Sequence, residues 1–417
     1  MRLIALRRLL RKRLVVNTLA LYAIQGLNYL SPIIVLPFLL RALKPDGYGM
    51  IVLAQSLMGY AVIVTTFGFN LTAARDVSVA RDDPERLTSL FWSTIAAQFA
   101  LFAIAMGVTG VVVLCVPAFR SHWPIFLAAA LLPLGSIAFP QWYFQGLERL
   151  SEAAVAQAIS KVTLAIAIIA VVRRPDDAAV AALLMTSSQV LGGLVAIAMP
   201  GSLKPPPFRR PTCCSVVATI KTSAHMFGAT VATTLYGHST ALALGLISGT
   251  QAVAIYNLGT RFVAALQSLA TPVTQAVYPR VAALFISAPR DARQLLRRTA
   301  SLLVVVVGAG AAVLALYADA VVRAFAGPGY GGAATVIRIT AFTAVIIAAI
   351  GVPCQMMIVS LNLTRKLMHI YLGAGILNIA LLFLLIPHWG SSGAAVCLLV
   401  AETVATALMA RLAWSHR

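Results

Sequence analysis

Acidic residues are scarce in this chain: 12 Asp and Glu stand against 32 Lys and Arg, and charged residues of both signs make up only 11% of the 417. Soluble domains carry roughly a quarter of their residues as charges, so a water-facing globular surface is excluded. Cysteine is also sparse. Cys115, Cys213, Cys214, Cys354 and Cys397 are scattered with one adjacent pair, which offers neither a disulfide framework nor metal-ligand spacing. No GxxxxGK[ST] sequence occurs, so a P-loop ATPase within the chain is excluded, and no cofactor or metal is expected. What the chain has instead is apolar residues, 60% of the total, with a mean hydropathy of +0.91.

A helix needs about 20 mostly apolar residues to cross the hydrocarbon core. Proline, glycine and charge punctuation divides residues 15–413 into about twelve such runs with short connections, which predicts an all-α integral membrane protein. Basic residues fall on alternate connections, 23 on one side and six on the other, with Lys161, Arg261 and Arg338 inside spans. By the positive-inside rule both termini are expected in the cytoplasm of a bacterial inner membrane. Residues 1–14, with Arg2, Arg7, Arg8, Arg11, Lys12 and Arg13 between leucines at near-helical spacing, read as a retained amphipathic leader on that surface. The net charge of +20 is spread over many loops with no basic domain to hold a strand. Anionic membrane lipids are therefore the expected partners, and nucleic acid is not.

The second half of the chain repeats the first. Ala80-Arg81-Asp82-Asp83-Pro84-Glu85-Arg86-Leu87 is echoed by Ala288-Pro289-Arg290-Asp291-Ala292-Arg293-Gln294-Leu295, and Pro140-Gln141-Trp142 by Pro353-Cys354-Gln355. Six spans per half predict two pseudo-symmetric six-helix lobes of equal topology, over residues 15–203 and 220–417. The proline-rich linker 204–219 is expected between them on the cytoplasmic side.

Three motifs carry a family resemblance. They are Pro37-Phe38-Leu39-Leu40-Arg41-Ala42-Leu43-Lys44-Pro45-Asp46-Gly47-Tyr48-Gly49 after the first span, Phe144-Gln145-Gly146-Leu147-Glu148-Arg149 after the fourth, and Pro387 with Gly390-Ser391-Ser392-Gly393-Ala394-Ala395 opening the twelfth. Together they resemble the O-antigen and exopolysaccharide (Wzx-type) flippases of the multidrug/oligosaccharidyl-lipid/polysaccharide (MOP) exporter superfamily, whose fold is MATE-like. Lys44 departs from the pattern, where the family usually has glycine. The resemblance implies export of an undecaprenyl-pyrophosphate-linked oligosaccharide from the cytoplasmic to the periplasmic leaflet, with the polysaccharide polymerase and ligase machinery as expected partners.

The spans can be searched for a matching polar lining without the family. Asn257, Arg261, Ser268, Thr271 and Gln275 follow helical spacing in span eight; span seven carries Ser223, Thr230, Thr233 and Thr240 with His238 beside them; and span one carries Gln25 next to Asn28. Small and hydroxyl residues also serve helix packing, which is the plain alternative for the Ser and Thr positions. A charge at mid-bilayer costs a few kcal/mol and usually faces water or a partner. Arg261 and Lys161 are accordingly the leading counter-charges for a pyrophosphate, with Arg338 third; the alternative is snorkelling for Arg261 and Arg338 and pairing with a nearby acid for Lys161. Glu402, the one acid well inside a span, is the ion-coupling candidate, with a salt bridge as its competing role. The rival reading is a MATE-like drug or cation antiporter, which needs cavity carboxylates that the first span lacks. A membrane glycosyltransferase or polymerase ranks lower because the external acids reduce mainly to Asp46, Asp176 and Asp177. The chain is therefore expected not to be an enzyme.

Overall fold

The computed structural model describes residues 2–199, 204–327 and 329–415, with side chains described throughout these except 2–33, 228–236, 272, 275 and 276. Every regular element among them is helical. Eight helices are long and apolar enough to cross a membrane, and the bent pair Pro175–Thr186 and Ser188–Ala198 makes a ninth span. Three of these helices contain one non-helical residue each, Lys44 in Arg2–Thr66, Gly249 in Cys213–Ser268 and Gly390 in Thr364–Trp414. Counting each broken helix as two crossings gives the twelve apolar segments of an all-α integral membrane protein.

The outward faces fit lipid as solvent. Only 22% of the apolar window in Pro289–Leu316 is buried, and Leu114, Ile166 and Val305 remain mostly exposed on their helices. Such surfaces cannot face water, but they are indifferent in a bilayer. Helix starts follow ordinary end chemistry. Pro84 and Pro289 sit in the first turn, where their missing N–H costs nothing. Asp83 caps the first of these two helices by accepting from the Arg86 N–H at 3.1 Å.

The chain forms two compact units, Met1–Leu43 with Leu57–Thr230, and Lys44–Ser56 with Val231–Arg417. The first has an aromatic core in which Phe69, Phe91, Trp142, Tyr143 and Phe144 are all buried. Within it, Trp142 donates to Gln98 Oε1 at 3.3 Å. In the second, Val263, Leu303, Val307, Ala344 and Ala348 form one cluster, and Val281, Leu296, Met356 and Met357 another. A π-helical stretch, Ile347–Gly351, interrupts the helix that continues as Val352–Ser360.

The repeat is written in backbone geometry as well as sequence. Lys44 (φ 59°, ψ 173°) and Gly249 (φ 83°, ψ 175°) break their helices with almost the same conformation. Glu148 and Asn362 close equivalent turns at φ 60° and 59°. In both turns the residue after them returns a hydrogen bond to a carbonyl five residues back, Arg149 to Phe144 and Leu363 to Ile358, each at 2.9 to 3.0 Å.

Candidate functional site

The break at Lys44 turns the chain so that Lys44–Ser56 packs within the second unit. Gly49 makes this approach feasible, because a Cβ there would lie 1.9 Å from the Thr250 carbonyl oxygen. Thr250 Oγ1 donates to Asp46 Oδ1 at 2.9 Å and fixes the register. One residue before Gly49, the fully buried Tyr48 donates its hydroxyl to Asn257 Oδ1 at 2.8 Å. Arg261, one turn further along the same helix face, donates Nε to that same oxygen at 3.0 Å. A neutral carboxamide thus anchors a cation inside an apolar segment, and Tyr48 holds the carboxamide in place.

Among the described residues no carboxylate lies within ion-pair distance of Arg261. Lys161 stands in the same condition in the first unit, half-buried midway along Leu150–Val171, with no ion pair among the described residues. Arg338 differs from both. Its Nη2 meets Asp319 and its Nε donates to the Ala315 carbonyl at 3.3 Å, so its charge is already compensated.

His238 and Glu402 are half-buried in the second unit, and Glu402 lies within electrostatic reach of Tyr371. The side chains of Gln25, Asn28 and Gln275 lie outside the described residues. The structure therefore joins Asn257 and Arg261, as their spacing predicts, and adds Tyr48, which the sequence reading held only as a motif residue.

Two further polar features escaped that reading. Asn378 is fully buried in the second unit and its amide faces Thr240 Oγ1 at 3.4 Å, while its Oδ1 has no partner among the described residues. A lone asparagine in the apolar run after His369 was the available signal. In the first unit a cavity of about 270 Å³ is lined by Thr72, Asp76, Ser89, Ser93, Ser215 and Ser223, among others. Thr72 and Ser223 hydroxyls meet at 2.7 Å and Ser93 donates to Ser215 at 3.2 Å. These hydroxyls come from three helices, Phe69–Val79, Pro84–Cys115 and Cys213–Ser268, the last far from the other two in sequence, so no single stripe announced them.

The family model described as "Polysaccharide biosynthesis protein" matches residues 14–285. A protein of Escherichia coli (strain K12) named as an O-antigen transporter is 28% identical over 396 residues, covering 94% of this chain and 95% of that one. One of Shigella dysenteriae with the same name is 26% identical over 271 residues, 64% of this chain and 67% of its own. Among solved structures, the lipid II flippase MurJ in an inward closed conformation superposes with a TM-score of 0.72 at 12% identity, over 95% of this chain and 86% of that one. An inward-facing multidrug resistance MATE family transporter of the MOP superfamily gives 0.63 at 12% identity, over 93% and 98%. At these identities the structural likeness establishes the fold, a MOP-type membrane fold.

Proposed function

The chain belongs to the polysaccharide biosynthesis protein family, and on that premise we propose that it is a flippase for an undecaprenyl-pyrophosphate-linked oligosaccharide. The cargo is an O-antigen or exopolysaccharide repeat unit, carried from the cytoplasmic to the periplasmic leaflet of a bacterial inner membrane. The relatives named as O-antigen transporters, similar over nearly the whole chain in one case, support the substrate class.

The physical problem is a large polar, anionic headgroup that must pass hydrocarbon while its lipid tail stays in it. A polar path with fixed cations lowers that barrier, because a desolvated phosphate regains charge-assisted hydrogen bonds inside the protein. Arg261 carries this reading. It is an intramembrane guanidinium held by Asn257 and left without a carboxylate among the described residues. A drug or cation antiporter would need the opposite charge in that place. Lys161 supplies a second cation in the first unit, at a position not equivalent to Arg261, and alternating access of two six-helix lobes moves the headgroup without any bond being made or broken, so the protein acts as a carrier and not as an enzyme. Glu402 is the residue through which a proton gradient would drive the cycle. Both termini lie in the cytoplasm in this reading, where newly assembled lipid-linked units arrive, and polymerase or ligase machinery receives them on the far side.

The test is surface polysaccharide in a strain whose own copy is deleted, at matched protein levels. Arg261→Ala is expected to lower export about 10- to 100-fold, the loss of one charged hydrogen-bonding partner of a buried anion. Export undiminished in both Arg261→Ala and Lys161→Ala would remove these residues from the path.

A further inference from the structure

The two repeats carry equivalent grooves with different contents. In the first unit a groove of about 220 Å³ runs between Phe91, Trp92, Pro140 and Phe144, and Pro205 of the linker closes part of it. The linker is fastened there: Trp92 Nε1 donates to the Pro207 carbonyl at 2.8 Å and the Trp92 and Phe208 rings meet edge to face at 4.9 Å. In the second unit a groove of about 230 Å³ runs between Leu296, Arg297, Pro353 and Met357, with Arg293 and Trp414 at its rim.

Counted from Pro84 and Pro289, Phe91 corresponds to Leu296, Trp92 to Arg297 and Thr94 to Thr299. In this register the two threonines match, both buried and both donating to the carbonyl four residues earlier. Pro140 and Pro353 are likewise equivalent. Where the first repeat has an aromatic ring gripping the chain's own linker, the second has a guanidinium, and every residue lining its groove belongs to a helix.

The charges there are unbalanced. Arg290, Arg293, Arg297 and Arg298 crowd the first three turns of Pro289–Leu316 with Asp291 as the one acid in the first turn, at the helix end whose partial charge is already positive. None of the four takes part in an ion pair among the described residues, and Arg293 Nε is buried with no hydrogen-bond partner there. A buried donor of this kind is costly to leave unmet. Below the arginines the wall is apolar. Ile350 and Trp414 are 44% and 67% exposed, so the groove opens to the bilayer, and a tryptophan at such a rim marks the headgroup level. Ile350 belongs to the π-helical stretch, an irregularity that recurs at ligand sites.

We propose that this groove is a site for an anionic phospholipid of the surrounding membrane, its phosphate held by Arg293 and Arg297 and one acyl chain lying along Ile350, Pro353 and Met357. An external lipid does in the second repeat what the linker does in the first: it fills the groove. The inference rests on the membrane fold and not on the transport reading.

The experiment uses the full chain in neutral detergent, titrated with dioleoyl phosphatidylglycerol, dioleoyl phosphatidylcholine or inorganic phosphate while the melting temperature is followed. Phosphatidylglycerol is expected to raise the midpoint and the other two are not. The double variant Arg293→Gln, Arg297→Gln should weaken the apparent affinity about 30-fold, as for two basic contacts at a membrane surface. Arg290→Gln with Arg298→Gln, outside the lining, should keep it. A phosphatidylglycerol response unchanged in the first double variant, or matched by inorganic phosphate, overturns the proposal. So does displacement by undecaprenyl pyrophosphate at equal concentration, which would make the groove a substrate site. In case the arginine variant does not fold, dibrominated phosphatidylglycerol in nanodiscs should quench the Trp414 component of wild-type fluorescence, taken as the difference from Trp414→Phe, more than dibrominated phosphatidylcholine does. Equal quenching by the two lipids contradicts a specific site.

Discussion

At the first helix break of each repeat the backbone follows nearly one path, yet the first repeat places lysine there and the second glycine. The same divergence runs through the rest of the comparison. Gly49, pressed against Thr250, corresponds to the buried Ala254, and Ser56 corresponds to Arg261. Trp92 on its linker corresponds to Arg297. Duplication has preserved where the chain turns and two buried threonines that bond back to the carbonyl four residues earlier. It has not preserved charge: the anchored guanidinium of Arg261 stands at a position that holds a buried serine in the first repeat. A repeat protein with identical halves would present the same chemistry twice, whereas this one presents a hydroxyl-lined cavity in one unit and arginines in the other.

The largest effect is expected at Gly49. Gly49→Ala copies the second repeat's residue into the first, and its Cβ would lie 1.9 Å from a backbone oxygen. Overpacking of this kind costs about 3 kcal/mol or more, so yield and melting temperature of the purified variant should collapse. Asn257→Asp comes next. It keeps the shape that receives Tyr48 but gives Arg261 a carboxylate, so export should fall roughly tenfold or more while the melting temperature changes little. Asn257→Ala would instead leave the buried Tyr48 hydroxyl unmet, a loss of about 1 to 3 kcal/mol seen in thermal unfolding.

The two breaks should answer to opposite substitutions. Their φ and ψ fall in a region suited almost solely to glycine, where other residues cost about 1 to 3 kcal/mol. Lys44→Gly is therefore expected to stabilise by about 1 kcal/mol and Gly249→Lys to destabilise by at least that, both read as shifts in melting temperature. A stabilisation absent at Lys44 would mean that its ammonium group is held by an interaction that offsets the backbone strain. The smallest effect is expected at the linker. Trp92→Ala removes one hydrogen bond and one ring contact, about 1 to 2 kcal/mol locally, and should speed proteolysis of residues 204–212 several-fold.

Much of the fold was legible because lipid imposes a simple code. Apolar runs of span length read directly, and the breaks at Lys44, Gly249 and Gly390 fall in the gaps between runs, next to proline or glycine punctuation. The repeat was legible in its two short echoes. The site was legible only where its residues share a helix, as Asn257 and Arg261 do. Tyr48 reaches Asn257 across 209 residues of sequence, and nothing in a helical stripe encodes such a contact. Arg338 offered only the choice between a cavity cation and a snorkelling one, because Asp319, on another helix, gives no local sign of meeting it. The hydroxyl cavity was hidden for the same reason: Ser223 stood in a helical stripe, but nothing in that stripe encodes its contact with Thr72, 151 residues earlier.

The proposed role of Arg261 is to offer its charge to an anionic lipid-linked sugar. Binding of undecaprenyl-pyrophosphate oligosaccharide to the purified full chain, compared with the same oligosaccharide on an uncharged lipid, measures that charge directly. Tighter binding of the pyrophosphate form to the wild type is expected, with the preference lost in both Arg261→Gln and Asn257→Asp. An equal preference in the wild type and these two variants would contradict that role.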